Sequence, residues 1–217
     1  MELASQLFHI AEWIGIIAFS ISGAMLAVER GLDIFGVVVL GVITTLGGGI
    51  IRDVLLGETP PRFFYSYHYV LISAVISIIV FIIAKKIFQN REKADIGEKV
   101  MRLNVAFDAI GLGAFTITGV QAAMEAGYAR NSFLCISLGV LTGVGGGMLR
   151  DIMSRRTPIV LTKHVYALAA VVGAMFYYGL FVSGMDQRIC LVIGVGITVV
   201  IRLLANHYRW SLPKAHR

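Results

Sequence analysis

The residues best placed to do chemistry in this sequence are two Arg-Asp steps, each behind a triple glycine. Gly47-Gly48-Gly49-Ile50-Ile51-Arg52-Asp53 closes on Thr59-Pro60, and Gly145-Gly146-Gly147-Met148-Leu149-Arg150-Asp151 closes on Thr157-Pro158. One motif is thus written twice, 98 residues apart. Each glycine costs about 1 kcal/mol against alanine inside a helix, so the string predicts interruption of the helix that carries it, the alternative being that the stripes Gly41, Thr45, Gly49 and Gly139, Gly143, Gly147 only pack helix on helix. An unwound glycine backbone exposes carbonyl oxygens, which suit a monovalent cation that must be partly dehydrated yet quickly released. The adjoining aspartate is expected to pair with the other copy's arginine or to face a water-filled opening.

Two further acids, Glu12 and Asp108, fall inside apolar runs. A charge at bilayer depth costs at least about 2.5 kcal/mol, so it must be paired, hydrated or functional. Both lie near span ends, and two readings stay open: reach to the interface, or a share in a polar pathway. Thr44 and Thr142 lie just off the glycine faces and are candidate hydroxyl ligands on the same route.

Other chemistries find little footing. His9, His68, His164, His207 and His216 are scattered, with no HExxH spacing, so no metal site is expected. Cys135 and Cys190 sit in apolar runs without CxxC spacing and read as small hydrophobes. The glycine strings lack the lysine of a phosphate-binding loop. Neither an enzyme nor an organic cofactor is expected.

The elements that position these residues are membrane spans. Of the 217 residues, 57% are hydrophobic and 15% charged, and mean hydropathy is +0.80, outside the range of ordinary soluble domains. Apolar runs at about 10–28, 34–51, 67–84, 104–123, 132–149, 164–182 and 188–205 are long enough to cross a hydrocarbon core roughly 30 Å thick. The fold class expected is all-α integral membrane, a single transmembrane domain over 1–205 with a tail at 206–217. The start, Met1-Glu2-Leu3-Ala4-Ser5-Gln6, has no basic n-region, so no removable signal peptide is expected.

The net charge is +6, and it is unevenly distributed. One alternate set of loops holds fifteen Lys and Arg, including Arg30, Lys85, Lys86, Arg150, Arg155, Arg156 and Arg202, while the other holds only Arg52, Arg62, Arg130 and Arg188. The positive-inside rule then puts the amino terminus outside and the carboxy terminus in the cytoplasm. The basic balance reflects topology and anionic lipid, not nucleic acid. Arg202, His207, Tyr208, Arg209 and Trp210 read as an interfacial anchor at the end of the seventh span. Phe63, Phe64, Tyr65, Tyr67 and Tyr69, after Pro60-Pro61, read as an interfacial aromatic belt.

The duplication extends beyond the motif. Glu12, Gly15, Phe19, Ser20, Ser22 and Gly23 match Asp108, Gly111, Phe115, Thr116, Thr118 and Gly119 at an offset of 96, and the offset becomes 98 at the glycine string. Two residues of extra length therefore lie in the loops around Arg30 and Arg130. Each copy covers three spans, about 10–84 and 104–182, joined by the charged linker from Lys85 to Asn104. Three is odd, so the copies are inverted, and inverted repeats with interrupted helices build midplane pathways in transport proteins. The interrupted helices are expected to be the second and fifth. The seventh span, with Gly194 and Gly196, has no partner and is expected to cap the bundle or mediate assembly.

Seven spans arranged as three plus three inverted plus one, with GGG-x-x-R-D ending spans 2 and 5, resemble the prokaryotic members of the trimeric intracellular cation channel family, a family also labelled presumed glycine transporter. The resemblance covers essentially the whole chain. It implies a homotrimer in a prokaryotic inner membrane, each subunit with a potassium-permeable pore, sodium being a second candidate ion, lined by kinked helices 2 and 5. Carried onto this sequence, the pore positions are Gly47, Gly48, Gly49, Gly145, Gly146 and Gly147, with Arg52, Asp53, Arg150 and Asp151 beside them. Bound lipid is a further implied ligand. The alternative is a secondary transporter of a small zwitterion such as glycine, its amine and carboxylate met by Asp and Arg of the two motifs.

Overall fold

The computed structural model describes residues 2–89, 93–162 and 165–210. Arg91, Lys163, His164, Lys214, His216 and Arg217, and with them most of the expected tail, lie outside the described residues. Among the described residues, seven long helices are apolar enough to cross a membrane. They are α1 (Glu2–Glu29), α2 (Ile34–Leu55), α3 (Tyr67–Gln89), α4 (Lys93–Ala123), α5 (Ser132–Met153), α7 (Val165–Val182) and α8 (Gln187–His207), and a short α6 (Ile159–Thr162) precedes α7. Polar side chains fix several starts. Asp33 accepts from the Gly36 amide at 2.8 Å, Asn131 from Leu134 at 3.1 Å and Asp186 from Arg188 at 2.8 Å, each satisfying a first-turn donor.

Packing follows the repeat. Helix α1 lies on α2 and α3, α4 on α5 and α7, and the halves join through α1 with α4 and α2 with α5. The extra length of the second copy sits where α4 ends, in a π-helical turn over Met124–Tyr128 that passes through Gly127 at φ 94°. Helix α8 lies on α7 and α4. Of its two glycines, Gly194 is the one pressed against neighbours, Ile117 and Tyr177, whereas Gly196 has open space beside it.

The triple glycines do not unwind. Helices α2 and α5 are α-helical at every residue through Gly47–Gly49 and Gly145–Gly147, so no carbonyls are released as ion ligands there. The physical reason is contact. A Cβ on Gly48 would lie 2.0 Å from the Thr142 carbonyl oxygen, and one on Gly146 would lie 2.0 Å from that of Thr44. The two strings are where α2 and α5 cross backbone to backbone, the small-residue mode of membrane packing. Keeping the helix also keeps every amide and carbonyl bonded where no water is at hand.

Candidate functional site

Each Arg-Asp step folds its own loop back onto its helix end. Arg52 donates through Nε and Nη2 to Asp53 Oδ1 at 2.9 and 2.7 Å, and Asp53 Oδ2 accepts the Arg62 amide at 3.0 Å. In the second copy Arg150 Nε donates to Asp151 Oδ1 at 3.0 Å, and Asp151 Oδ2 accepts the Ile159 amide at 2.8 Å. The aspartate thus grips the backbone just past Thr59-Pro60 or Thr157-Pro158, which explains why the motif closes on that dipeptide. Neither aspartate pairs with the other copy's arginine. What crosses between copies is a hydrogen bond, from Arg150 Nη1 to Ser22 Oγ at 2.7 Å, and Ser22 in turn donates to Asn104 at 2.8 Å.

Asp151 is nearly dry, at 1% exposure. Asp151→Ala removes a partner from a buried arginine and from the Ile159 amide together, a loss expected to cost about 3 to 5 kcal/mol. A drop in the thermal midpoint of the detergent-solubilised protein, larger than that of an exposed control such as Asp186→Ala, is the expected result.

Around these steps lie two cavities related by the repeat. The first, about 250 Å³, is lined by Glu12, Thr45, Gly49, Arg52, Arg62 and Tyr69 among others. The second, about 340 Å³, is lined by Arg30, Asn104, Asp108, Arg150, Arg156 and Arg202 among others. The ends of α2 and α5 point opposite ways, so the cavities open at opposite ends of the bundle. The acids occupy matched places. Tyr69 donates to Glu12 at 3.4 Å, and Tyr166, its counterpart, donates to Asp108 at 3.4 Å. Asp108 is buried and takes Arg150 Nη1 at 2.8 Å, whereas Glu12 is part-exposed and lies 3.8 Å from His9. At the rim of the first cavity Glu58 pairs with Arg62, and these hydrogen bonds hold the Glu58 carboxyl below its ordinary value.

At the inner end of the first cavity Phe115 meets Phe19, the same position in the other copy, with ring centroids 5.2 Å apart. Phe19 is fully buried and wedged, because a Cβ on Gly111 would lie 2.1 Å from its ring. The first cavity reaches Phe115 and Ile16. Beside them Ser20, Thr45 and Ser73 bond one another at 2.9 to 3.2 Å.

The sequence-derived candidates divide accordingly. Gly49 faces the first cavity, and Gly147 faces the Tyr166 hydroxyl, 2.9 Å from where its Cβ would be. Gly47 abuts Leu149, and Gly145 abuts Ile51 and Gly48. The Thr44 and Thr142 hydroxyls each turn back to their own helix, to the Leu40 and Leu138 carbonyls at 2.6 Å, while Thr45 lines the cavity. Arg202 differs from the expectation of an interfacial anchor. It is 2% exposed, 3.7 Å from Asp108 and 4.8 Å from the Tyr166 ring centroid. Its place at the basic, aromatic end of a helix concealed this; one arginine five to seven residues inward of His207, Tyr208 and Arg209 was the available signal.

Helices of this length and apolarity, folded as two inverted halves around paired polar cavities, define a multi-pass membrane protein of the transport type. The sequence model for the family described as Glycine transporter matches twice, at residues 9–85 and 105–181, one match per repeat, and the chain belongs to that family. Among its relatives are a UPF0126 membrane protein of Vibrio cholerae, 33% identical over 97% of this chain and 84% of the relative, and YvgT of Bacillus subtilis, 35% identical over 92% of each. Among solved structures, a TRIC cation channel is 38% identical with a TM-score of 0.81, covering 97% of this chain and 98% of the other. The trimeric intracellular cation channel orthologue of Rhodobacter sphaeroides is 29% identical with a TM-score of 0.83, over 94% and 99%.

Proposed function

We propose that this protein is a monovalent cation channel, permeable to potassium, whose pathway in each subunit joins the two cavities through the Phe19–Phe115 contact. The observation that carries the reading is the pair of polar cavities at the two Arg-Asp steps, the first reaching Phe115, each lined by an acid that accepts from a tyrosine in the matched position. Backbone packed as tightly as Gly48 on Thr142 leaves no lumen between α2 and α5 themselves, so the route runs beside their crossing. The aromatic pair holds it shut, since an apolar constriction excludes water and ions without a charged barrier. This is the closed conformation. Solved relatives that are TRIC cation channels support the same activity.

The subunit is expected to assemble as a homotrimer in the plasma membrane of a prokaryote, surrounded by lipid, with the amino terminus outside and the carboxy terminus cytoplasmic. Trimers are the state of the Rhodobacter sphaeroides orthologue. Potassium flux into liposomes containing the purified protein tests the activity. Flux above thousands of ions per second per protein, unchanged by glycine, is expected. Saturable glycine counterflow with no ionic current would replace the channel by the carrier that the family description names.

A further inference from the structure

We infer that Arg202, on the helix outside the repeats, sets how readily cations pass the second cavity by placing its charge against the one unbonded oxygen of Asp108. The inference rests on the channel reading above. Asp108 Oδ1 is taken by Arg150, at 2.8 Å, and by Tyr166, at 3.4 Å. Oδ2 is buried and has no hydrogen-bond partner, and Arg202 Nη2 lies 3.7 Å from it. Arg202 Nε is likewise buried and unbonded. Two opposite charges thus face each other from α4 and α8 just beyond hydrogen-bond range, although both are only 2 to 3% exposed. The gap leaves the arginine weakly fastened, its plane resting on the Tyr166 ring 4.8 Å away.

The first cavity provides the comparison. There Glu12 meets Tyr69 and His9, and among the described residues no arginine lies within ion-pair distance of it. Since α8 has no counterpart in the first repeat, nothing delivers such a guanidinium. The repeat therefore supplies an acid and a tyrosine at both sites; at the second Arg150 pairs with one oxygen of the acid, and α8 adds a second guanidinium facing the other. A free carboxylate oxygen beside a polar cavity is a stopping place for a cation, and a guanidinium on it both blocks the oxygen and raises the local potential. The cavity already holds Arg30, Arg150 and Arg156, so Arg202 adds to a barrier that Asp108 would otherwise lower. Arg202 is a specificity-determining residue for the conducted ion, acting on Asp108.

Single-channel currents in planar bilayers with symmetrical KCl, recorded at both polarities, test this with wild type, Arg202→Gln and Arg202→Lys. Arg202→Gln is expected to raise unitary potassium current by about threefold or more for ions entering through the second cavity, while Arg202→Lys stays near wild type. A merely structural arginine would give the opposite sign, a fall in current or in folded yield. Arg202→His guards against a glutamine variant that does not fold, because its charge is present at low pH and lost as pH rises through the histidine range. Its current should grow with pH relative to wild type, the control for the other charged and titratable groups here, Asp108 on α4, Arg150 on α5, Tyr166 on α7 and His207 on α8. Arg202→Gln current at or below wild type in an assembled protein, or a flat Arg202→His response, overturns the inference and leaves the channel reading standing. A wild type that passes no cation overturns both.

Discussion

Gly48→Val and Gly146→Val are each expected to remove most of the folded protein. The Cβ of either variant would sit 2.0 Å from a carbonyl oxygen of the facing helix, and that oxygen is backbone rather than the tip of a flexible side chain. No rotamer change relieves the clash. The helices must part, and their separation opens the contact along its length, where Gly145 meets Gly48 and Gly47 meets Leu149. Overpacking of ordinary cores costs about 1 to 3 kcal/mol. Backbone against backbone at a helix crossing belongs at or beyond the top of that range. Gly49→Val provides the contrast, because the nearest neighbour of a Cβ there is the Arg52 guanidinium at 3.8 Å. In a thermal-stability series by size-exclusion chromatography, Gly48→Val and Gly146→Val should lose the folded peak while Gly49→Val keeps it. Wild-type melting of Gly48→Val would mean that the crossing is not where the halves are held.

Phe19→Ala with Phe115→Ala is expected to leave a channel that no longer closes. Each truncation costs about 3 to 5 kcal/mol where the side chain is fully packed, so some stability is lost. The larger consequence is hydration. Removing both rings at the proposed junction extends the first cavity past a space bordered by Ser20 and Thr45, hydroxyls able to hold water. Resting potassium leak in liposomes should rise at least about tenfold over wild type, with glycine still excluded. The single variants should fall between, and Phe19→Ala should exceed Phe115→Ala, since Phe19 is the ring wedged against Gly111. A double variant as tight as wild type would place the barrier elsewhere.

These expectations draw on the sequence unequally. The seven spans, the inverted repeat and the two extra residues of the second copy were legible because hydropathy and an offset of 96 becoming 98 are one-dimensional properties. The triple glycine was legible as special but ambiguous in kind, because the absence of side chains permits either an unwound backbone or a close approach. Only the position of Thr142 opposite Gly48 decides between them. The work of Asp53 and Asp151 was hidden for a similar reason. Their second oxygens bond amides eight or nine residues on, a contact that a turn creates and no periodicity encodes. Phe19 and Phe115 were noted as a repeat pair, yet an apolar ring in an apolar span carries no mark of standing at the inner end of a cavity. Arg202 looked like its basic neighbours, and depth alone separates it from them.

Two inverted polar cavities, the first ending on an aromatic contact, make sense as a route for cations, and reversal potential tests that reading most directly. Purified wild-type protein in a planar bilayer, with KCl concentrated on one side, should carry unitary currents that reverse close to the potassium equilibrium potential and stay unaltered on addition of glycine. Currents reversing at the chloride potential, or a silent bilayer beside glycine counterflow in liposomes, would contradict it.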